Sequence, residues 1–287
     1  MLVSAGLTSY DNFVSYKLDL GIIRPVSAES SRELGRMAAK HLPTKVEVES
    51  LTPDHFRYVL SAASETWGAS RLRQLRLWLR AWIRWLGEEG LITSVPNTGK
   101  LLTPTYRPKP KDVVTPEQAK VIWNSGHKNL RCMLALGLFA GTNPSDLSDT
   151  KPEHIEGQFF IKARSKTGTP RRAHLPSWIC AVAHQALPLR TVHGLVTPRR
   201  LTNYWRDCTR RMFGSPFPYT ACRTTLRTVC SGVADEVLEC LVMGHTPASA
   251  ASSLGKNAVG LKHYLNLSAV DDEKLRSISK KMTDYLI

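Results

Sequence analysis

The sequence predicts a mainly α-helical protein with one small β-sheet, arranged as two domains. Three observations carry that expectation. Apolar residues recur at helical spacing through most of the chain, most clearly at Leu72, Leu75, Leu79, Trp82, Ile83 and Leu86. Residues 158–176 alone read as two extended runs around a Lys-Thr-Gly-Thr turn. Between the two helical regions, residues 96–114 carry four prolines among Lys and Arg and lose all helical period. Proline removes a donor and pushes the residue before it into extended backbone, so this stretch reads as a semi-rigid basic strap. The expected boundaries are a helical domain at 1–100, a linker at 101–111 and a second domain at 112–287.

Within the first domain, Ser30 and Glu33 have the spacing of a capping box, which places a helix start there. Thr52-Pro53-Asp54 opens another helix with proline at its first position. The helix at Ala69–Leu86 has two stripes. The apolar one is core, and Trp78 and Trp85 read as packing residues beside it. The other stripe is Arg73, Arg76, Arg80 and Arg84, with no acid between Arg71 and Arg84 to neutralise it, so it reads as a ridge for phosphates.

The second domain opens with Thr115-Pro116-Glu117-Gln118, a cap with proline at N1 and Gln at N3. A buried helix follows at Leu130–Ala140. A hairpin pairs Gln158–Ala163 with Arg171–Pro176, with Phe159, Phe160 and Ile161 as strand formers. Helices are expected again near 177–187, 199–213, 223–232 and 235–243. Residues Asp271–Ile287 read as a charged helix that either docks on a neighbouring subunit or caps its own core.

Charge narrows the function. The 287 residues carry a net charge of +15, and Lys162–Arg227 holds thirteen Lys and Arg against one acid, Asp207, hence +12 of that total. Such concentration suits a polyanion, because each neutralised phosphate releases condensed counterions. No apolar run approaches the roughly 20 residues of a membrane helix, and the first twenty residues lack the order of a signal peptide. A cytoplasmic, nucleoid-associated protein with no membrane partner is expected. The six cysteines are scattered without a Cys-x-x-Cys pair, so they read as small buried apolar residues rather than disulfides or zinc ligands. No cluster of acids accompanies the basic segment, which speaks against a metal-dependent nuclease; neither metal nor cofactor is expected.

Four motifs of the second domain come in a telling order. Ala140-Gly141-Thr142-Asn143-Pro144-Ser145-Asp146-Leu147 follows the apolar helix. The hairpin carries Lys166-Thr167-Gly168-Thr169-Pro170-Arg171-Arg172-Ala173-His174. Tyr219-Thr220-Ala221-Cys222-Arg223 comes next, and Met243-Gly244-His245 precedes Lys262-His263-Tyr264-Leu265. The set resembles the tyrosine recombinase (phage integrase) family across nearly the whole chain. The resemblance implies a core-binding domain followed by an integrase-like catalytic domain, and a site-specific recombinase acting on double-stranded DNA as a homodimer or homotetramer.

Such chemistry needs a nucleophile, cations for the charge developing on the phosphoryl oxygens, and an acid for the leaving 5′-oxygen. By the resemblance, Tyr264 is the nucleophile that forms a 3′-phosphotyrosyl link and conserves bond energy for rejoining. Arg223 is the bidentate guanidinium on the phosphate. Lys166 is the general acid, and His245 hydrogen-bonds the phosphate or helps Tyr264 lose its proton. Two positions depart from the family pattern. Thr220 stands where the family has His, and the adjoining Tyr219 is a candidate to shift into that role. Asn143 stands where the family has its first arginine, while the acid that follows, Asp146, is kept. Losing one of two guanidiniums costs on the order of 10²–10³ in rate. Arg164, Arg171 and Arg172 on or beside the hairpin, and Arg227 one turn after Arg223, are the arginines in reach of DNA or of the gap. The alternative is a catalytically impaired or inactive DNA-binding protein on the same scaffold.

Overall fold

The computed structural model describes residues 1–99, 101, 112–191, 194–231, 234, 236–244 and 271–286. The fold is mainly α with a small antiparallel sheet, as the apolar periodicity requires. The chain divides into two compact units, Met1–Lys109 and Pro110–Ile287. Most of the strap at 96–114, and the sites expected at His245 and Tyr264, lie outside the described residues.

The first unit has four helices: α1 (Val3–Asp19), α2 (Pro25–His41), α3 (Pro53–Ser64) and α4 (Ala69–Glu88). Their apolar stripes meet over Trp82, Phe56, Leu75, Leu79, Ile83 and Leu86. Gly6 sets the approach of α1 to α4, since a Cβ there would lie 3.2 Å from Leu86 Cδ1. The Gly6 carbonyl accepts the buried Trp82 indole N–H at 3.0 Å, which satisfies the polar end of a large core side chain. Trp78 likewise donates to Ser31 Oγ at 2.9 Å, and Trp85 stacks on Phe13 at 4.8 Å, so both are packing residues.

One start signal is corrected. The Ser30–Glu33 pair does not begin a helix: α2 starts five residues earlier, with Pro25 at its first position. Mid-helix, Ser30 and Glu33 instead receive the Arg71 guanidinium from α4.

The second unit begins with α5 (Pro116–Asn124), where the expected capping box is formed. Thr115 Oγ1 accepts from Gln118 N at 3.3 Å and Gln118 Oε1 accepts from Thr115 N at 3.0 Å. Helix α6 (Lys128–Ala140) is buried along nearly its whole length and ends at Gly141, whose φ of 56° only glycine adopts freely. A short helix α7 (Pro144–Leu147) follows.

Strands β1 (Ile155–Glu156), β2 (Phe159–Ile161) and β3 (Arg172–His174) form the antiparallel sheet. Its register sets Phe160 against Ala173 and Ile161 against Arg172. Then come α8 (Ser177–Ala186), a ribbon of β4 (Arg190–Thr191) and β5 (Gly194–Leu195), α9 (Pro198–Phe213), α10 (Thr220–Cys230) and α11 (Glu236–Met243).

Helix α10 crosses α6 so closely that a Cβ on Gly137 would meet Cys222 Cβ and Tyr219 Oη, each at 2.7 Å. The last described helix, α12 (Asp272–Leu286), packs on its own unit. Leu275, Ile278 and Met282 are buried, Tyr285 Oη donates to Val114 O at 2.8 Å, and Arg172 pairs with Asp272 at 2.5 Å. Of the two expectations for this segment, the helix caps its own core. Among the described residues no helix is long and apolar enough to cross a membrane. The six cysteines form no disulfide, and five of them are buried.

Candidate active site

The carboxylate of Asp146 organises the site. The left-handed turn at Gly141 stops α6, and Asn143 begins α7 three residues before Asp146. Asp146 is fully buried. Its Oδ2 accepts Asn143 N–H at 3.0 Å and Arg171 Nη2 at 2.8 Å, and its Oδ1 accepts Ser165 N–H at 3.0 Å. Burial alone would raise its pKa. The charge and hydrogen bond of Arg171, with the N–H groups of Asn143 and Ser165, outweigh burial and hold it below the ordinary carboxylate value.

Three guanidiniums converge here. Arg171, the residue before β3, has no solvent exposure, and apart from Nη2 its polar atoms, Nε and Nη1, are buried without a hydrogen-bond partner among the described residues. Arg164, at the start of the hairpin tip, also has a buried Nε without a partner. Burial depresses its pKa and Arg171 adds to that, against the pull of Asp146. Arg223 reaches from α10, donating through Nη1 to Gly141 O and through Nη2 to Met243 O, the latter at 2.6 Å. Burial, followed by the charges of Arg171 and Arg164, pushes its guanidinium down to about 9, so it still carries its charge at neutral pH. Lys162 adds a fourth cation but is paired with Asp149 at 3.0 Å. The cluster is therefore strongly electropositive and partly dry, a setting in which an anion gains far more than in water.

Lys166 stands exposed at the tip of the hairpin on a braced support. Arg164 N donates to Thr169 O at 2.8 Å, Gly168 N donates to Arg164 O at 2.7 Å, and Gly168 takes a φ of 65° to close the turn. Ser165, its neighbour, is tied to Asp146 through its N–H, and its Oγ donates to Asp149 Oδ2 at 3.1 Å. One carboxylate thus fixes the Asn143 turn, the base of the Lys166 tip and the Arg171 guanidinium together. Thr220 is exposed in the first turn of α10, one turn before Arg223.

Other expected positions lie elsewhere. Tyr219 is a core residue and does not stand in for the missing His: its Oη donates to Met133 O at 2.8 Å and lies 2.9 Å from Thr142 Oγ1. Burial pushes its pKa well above the ordinary phenol value. Arg171, expected within reach of DNA or of the gap at Asn143, is enclosed rather than exposed. Arg172 pairs with Asp272 and lies 4.2 Å over the Phe159 ring, and Arg227 pairs with Glu239 at 2.7 Å; each is anchored to a neighbouring helix, α12 and α11 respectively. In the first unit Arg73, Arg80 and Arg84 are exposed on α4, and Arg76 is half-buried and donates to Leu101 O at 3.4 Å. Arg80 reaches Gly99 O at 3.4 Å. Among the described residues none of the four pairs with an acid.

Sequence reasoning passed over the outer face of α9. Leu201, Trp205 and Cys208 are buried on its inner side, while Arg199, Arg200, Arg206 and Arg210 are exposed on the outer one. The signal was present as the strongest segregation of arginine from apolar residues in the second unit. No three His, Cys, Asp or Glu side chains gather as metal ligands among the described residues.

No protein-family model and no curated protein matches the chain in sequence. Solved structures do match in fold. A lambda integrase dimer bound to a COC′ core site superposes with a TM-score of 0.72 at 14% identity, over 90% of this chain and 78% of that one. Lambda integrase bound to DNA gives 0.67 at 15% identity, over 94% and 99%. The Tn1549 transposon integrase in complex with a circular intermediate DNA gives 0.63 at 11% identity, over 92% and 100%. At such identities the likeness is one of fold. The chain has the fold of these integrases.

Proposed function

We propose that the protein is a site-specific DNA recombinase that cleaves and rejoins double-stranded DNA through a 3′-phosphotyrosyl intermediate. The observation that carries this reading is the convergence of Arg223, Arg171 and Arg164 on Asp146, beside a braced hairpin that presents Lys166. Only a group with concentrated negative charge repays so much buried cation, and a phosphodiester in a scissile strand is such a group.

In this reading the phenolic oxygen of Tyr264 attacks the phosphorus and its proton leaves with the help of His245. The bond to the 5′-oxygen breaks, and Lys166 protonates that oxygen. Arg223 stabilises the charge on the non-bridging oxygens, and Thr220 offers a hydroxyl beside it. The phosphotyrosyl link is close in energy to the bond it replaces, so a second 5′-hydroxyl reverses the step without ATP, metal or cofactor. Residues 1–100 act as the core-binding domain, residues 101–111 as the linker, and residues 112–287 as the catalytic domain. Arg73, Arg76, Arg80 and Arg84 on one unit, and the basic surface around Arg172 and Arg227 on the other, contact phosphates and set register. The integrases of like fold were solved on DNA as a dimer and as a tetramer; assembly of this chain as a homodimer or homotetramer on DNA, at the nucleoid in the cytoplasm, follows the same logic.

A second reading is favoured by one residue. Asn143 brings a hydrogen-bonding amide but no charge, which suits a non-catalytic DNA-binding protein on the same scaffold. Covalent trapping separates the two. The protein is incubated with supercoiled and randomly nicked DNA, denatured and digested, and searched by mass spectrometry for a nucleotide adduct on Tyr264. The recombinase reading expects an adduct that Tyr264→Phe abolishes. Tight, salt-sensitive DNA binding with no adduct would establish the second reading.

A further inference from the structure

The position three residues before Asp146 is neutral, so a cleavage site built around Arg223 lacks a second guanidinium at that point. The structure places another one against the same helix. Arg171 is carried to α7 by the 2.8 Å bond from its Nη2 to Asp146, the carboxylate that also caps Asn143 N–H. It approaches the Met243–Gly244 turn as well: a Cβ built on Gly244 would lie 3.1 Å from Arg171 Nε and 3.3 Å from its Nη2. Arg223 holds the same turn through Met243 O. Two guanidiniums, one from the hairpin and one from α10, therefore flank a single turn.

The unused donors of Arg171 point the same way. Arg171 Nε and Nη1 are buried with no partner, an unusual state for a group that carries five N–H bonds and a full charge. A folded protein rarely keeps such donors idle without a ligand for them. The other arginines do not fill this place. Arg172 and Arg227 are tied to Asp272 and Glu239, and Arg164 has one idle nitrogen and, among the described residues, no carboxylate bond to aim it.

We propose that Arg171, aimed by Asp146, is the second phosphate-binding guanidinium of this site and does the work that Asn143 cannot. The proposal rests on the strand-cleavage reading above. Because Arg171 is closed off from solvent and backs onto Gly244, the assignment requires the Met243–Gly244 turn to give way before Nε and Nη1 can donate to the phosphate oxygens. Asp146 is the positioning residue. It supplies the aim of the fork and ties the hairpin to α7.

The test uses the full chain and Arg171→Lys, which keeps a charge for Asp146 but loses the fork. The expected loss is about 10²–10³-fold in the rate of Tyr264 adduct formation, with the melting temperature and DNA affinity little changed. Adding Asn143→Arg to Arg171→Lys restores the rate at least tenfold. A structural role alone would leave that rescue absent. A second readout needs no cleavage: binding of inorganic phosphate by calorimetry weakens at least tenfold in Arg171→Lys and is unchanged in the control Arg36→Lys. Should Arg171→Lys prove unstable, the pair Asp146→Asn with Arg171→Gln, neutral and still hydrogen-bonded, replaces it in the same assay. An adduct rate within threefold of wild type in a folded Arg171→Lys protein overturns the proposal. So does phosphate binding that is absent in the wild type or equal in the variant. A wild-type protein that forms no adduct but binds phosphate through Arg171 refutes the cleavage reading and leaves Arg171 as an anion ligand.

Discussion

Replacing Asp146 by Ala is the most informative perturbation of the fold. The carboxylate accepts three hydrogen bonds, from Asn143 N, Ser165 N and Arg171 Nη2, and both partners of the ion pair have no solvent exposure. The substitution strands a fully buried guanidinium whose other nitrogens are already without partners. Breaking a buried pair by removing one partner costs about 3–5 kcal/mol, most of it from the charge left behind. The two backbone N–H groups lose their acceptor at the same time, so the upper part of that range is expected. For a unit of this size each kcal/mol moves the midpoint by roughly 2–4 °C, hence a fall of about 8–20 °C. Differential scanning calorimetry of the whole chain measures it as a shift in the transition of the second unit alone. The double variant Asp146→Leu with Arg171→Met, which removes both charges, should recover most of the loss. A fall of less than ~1 kcal/mol in the single variant, or a double variant no better than the single, would refute the claim that this pair is dry and mutually dependent.

Three further outcomes follow from particular contacts. Gly137→Ala forces a Cβ to 2.7 Å from both Cys222 Cβ and Tyr219 Oη, and should destabilise the second unit by roughly 1–3 kcal/mol in urea unfolding. Asp146 has a depressed pKa in the folded protein, so its stabilisation is fully present above the unfolded value of about 3.9 and is lost as pH falls through the lower folded value; Asp146→Asn should flatten the stability–pH curve in that acid window. Arg73, Arg80 and Arg84 are exposed, and each single Ala variant should reduce the slope of log affinity for DNA against log salt by about 1 without changing the melting temperature.

Local signals were readable where the physics is local. The Thr115–Gln118 box is formed because cap and acceptor lie within one turn of each other. The two stripes of α4 segregate as their spacing demands, since a 3.6-residue period admits only one buried face. The start of α2 was misplaced because Ser30 and Glu33 have a second use that sequence spacing does not reveal, a tertiary bond to Arg71. Arg171 illustrates the deeper limit. In a hairpin rich in Arg and Lys it looks like one more solvated charge; what encloses it is a carboxylate 25 residues earlier and a turn some seventy residues later. Tyr219 misled for the same reason, its Oη being claimed by Met133 O and Thr142 from another helix and its end. Which arginine is enclosed and which is outside depends on partners distant in the chain.

The closing helix α12 has a consequence for anyone who handles this chain. Asp272 grips Arg172, and Ser279 Oγ lies 2.6 Å from His174 Nδ1, so both ends of β3 are clamped by the C-terminal segment. The residue that precedes β3 is Arg171. Tension, truncation or a fused tag at the C-terminus therefore travels one strand to the guanidinium at the heart of the cluster. Residues one hundred positions apart in the chain are thereby joined directly.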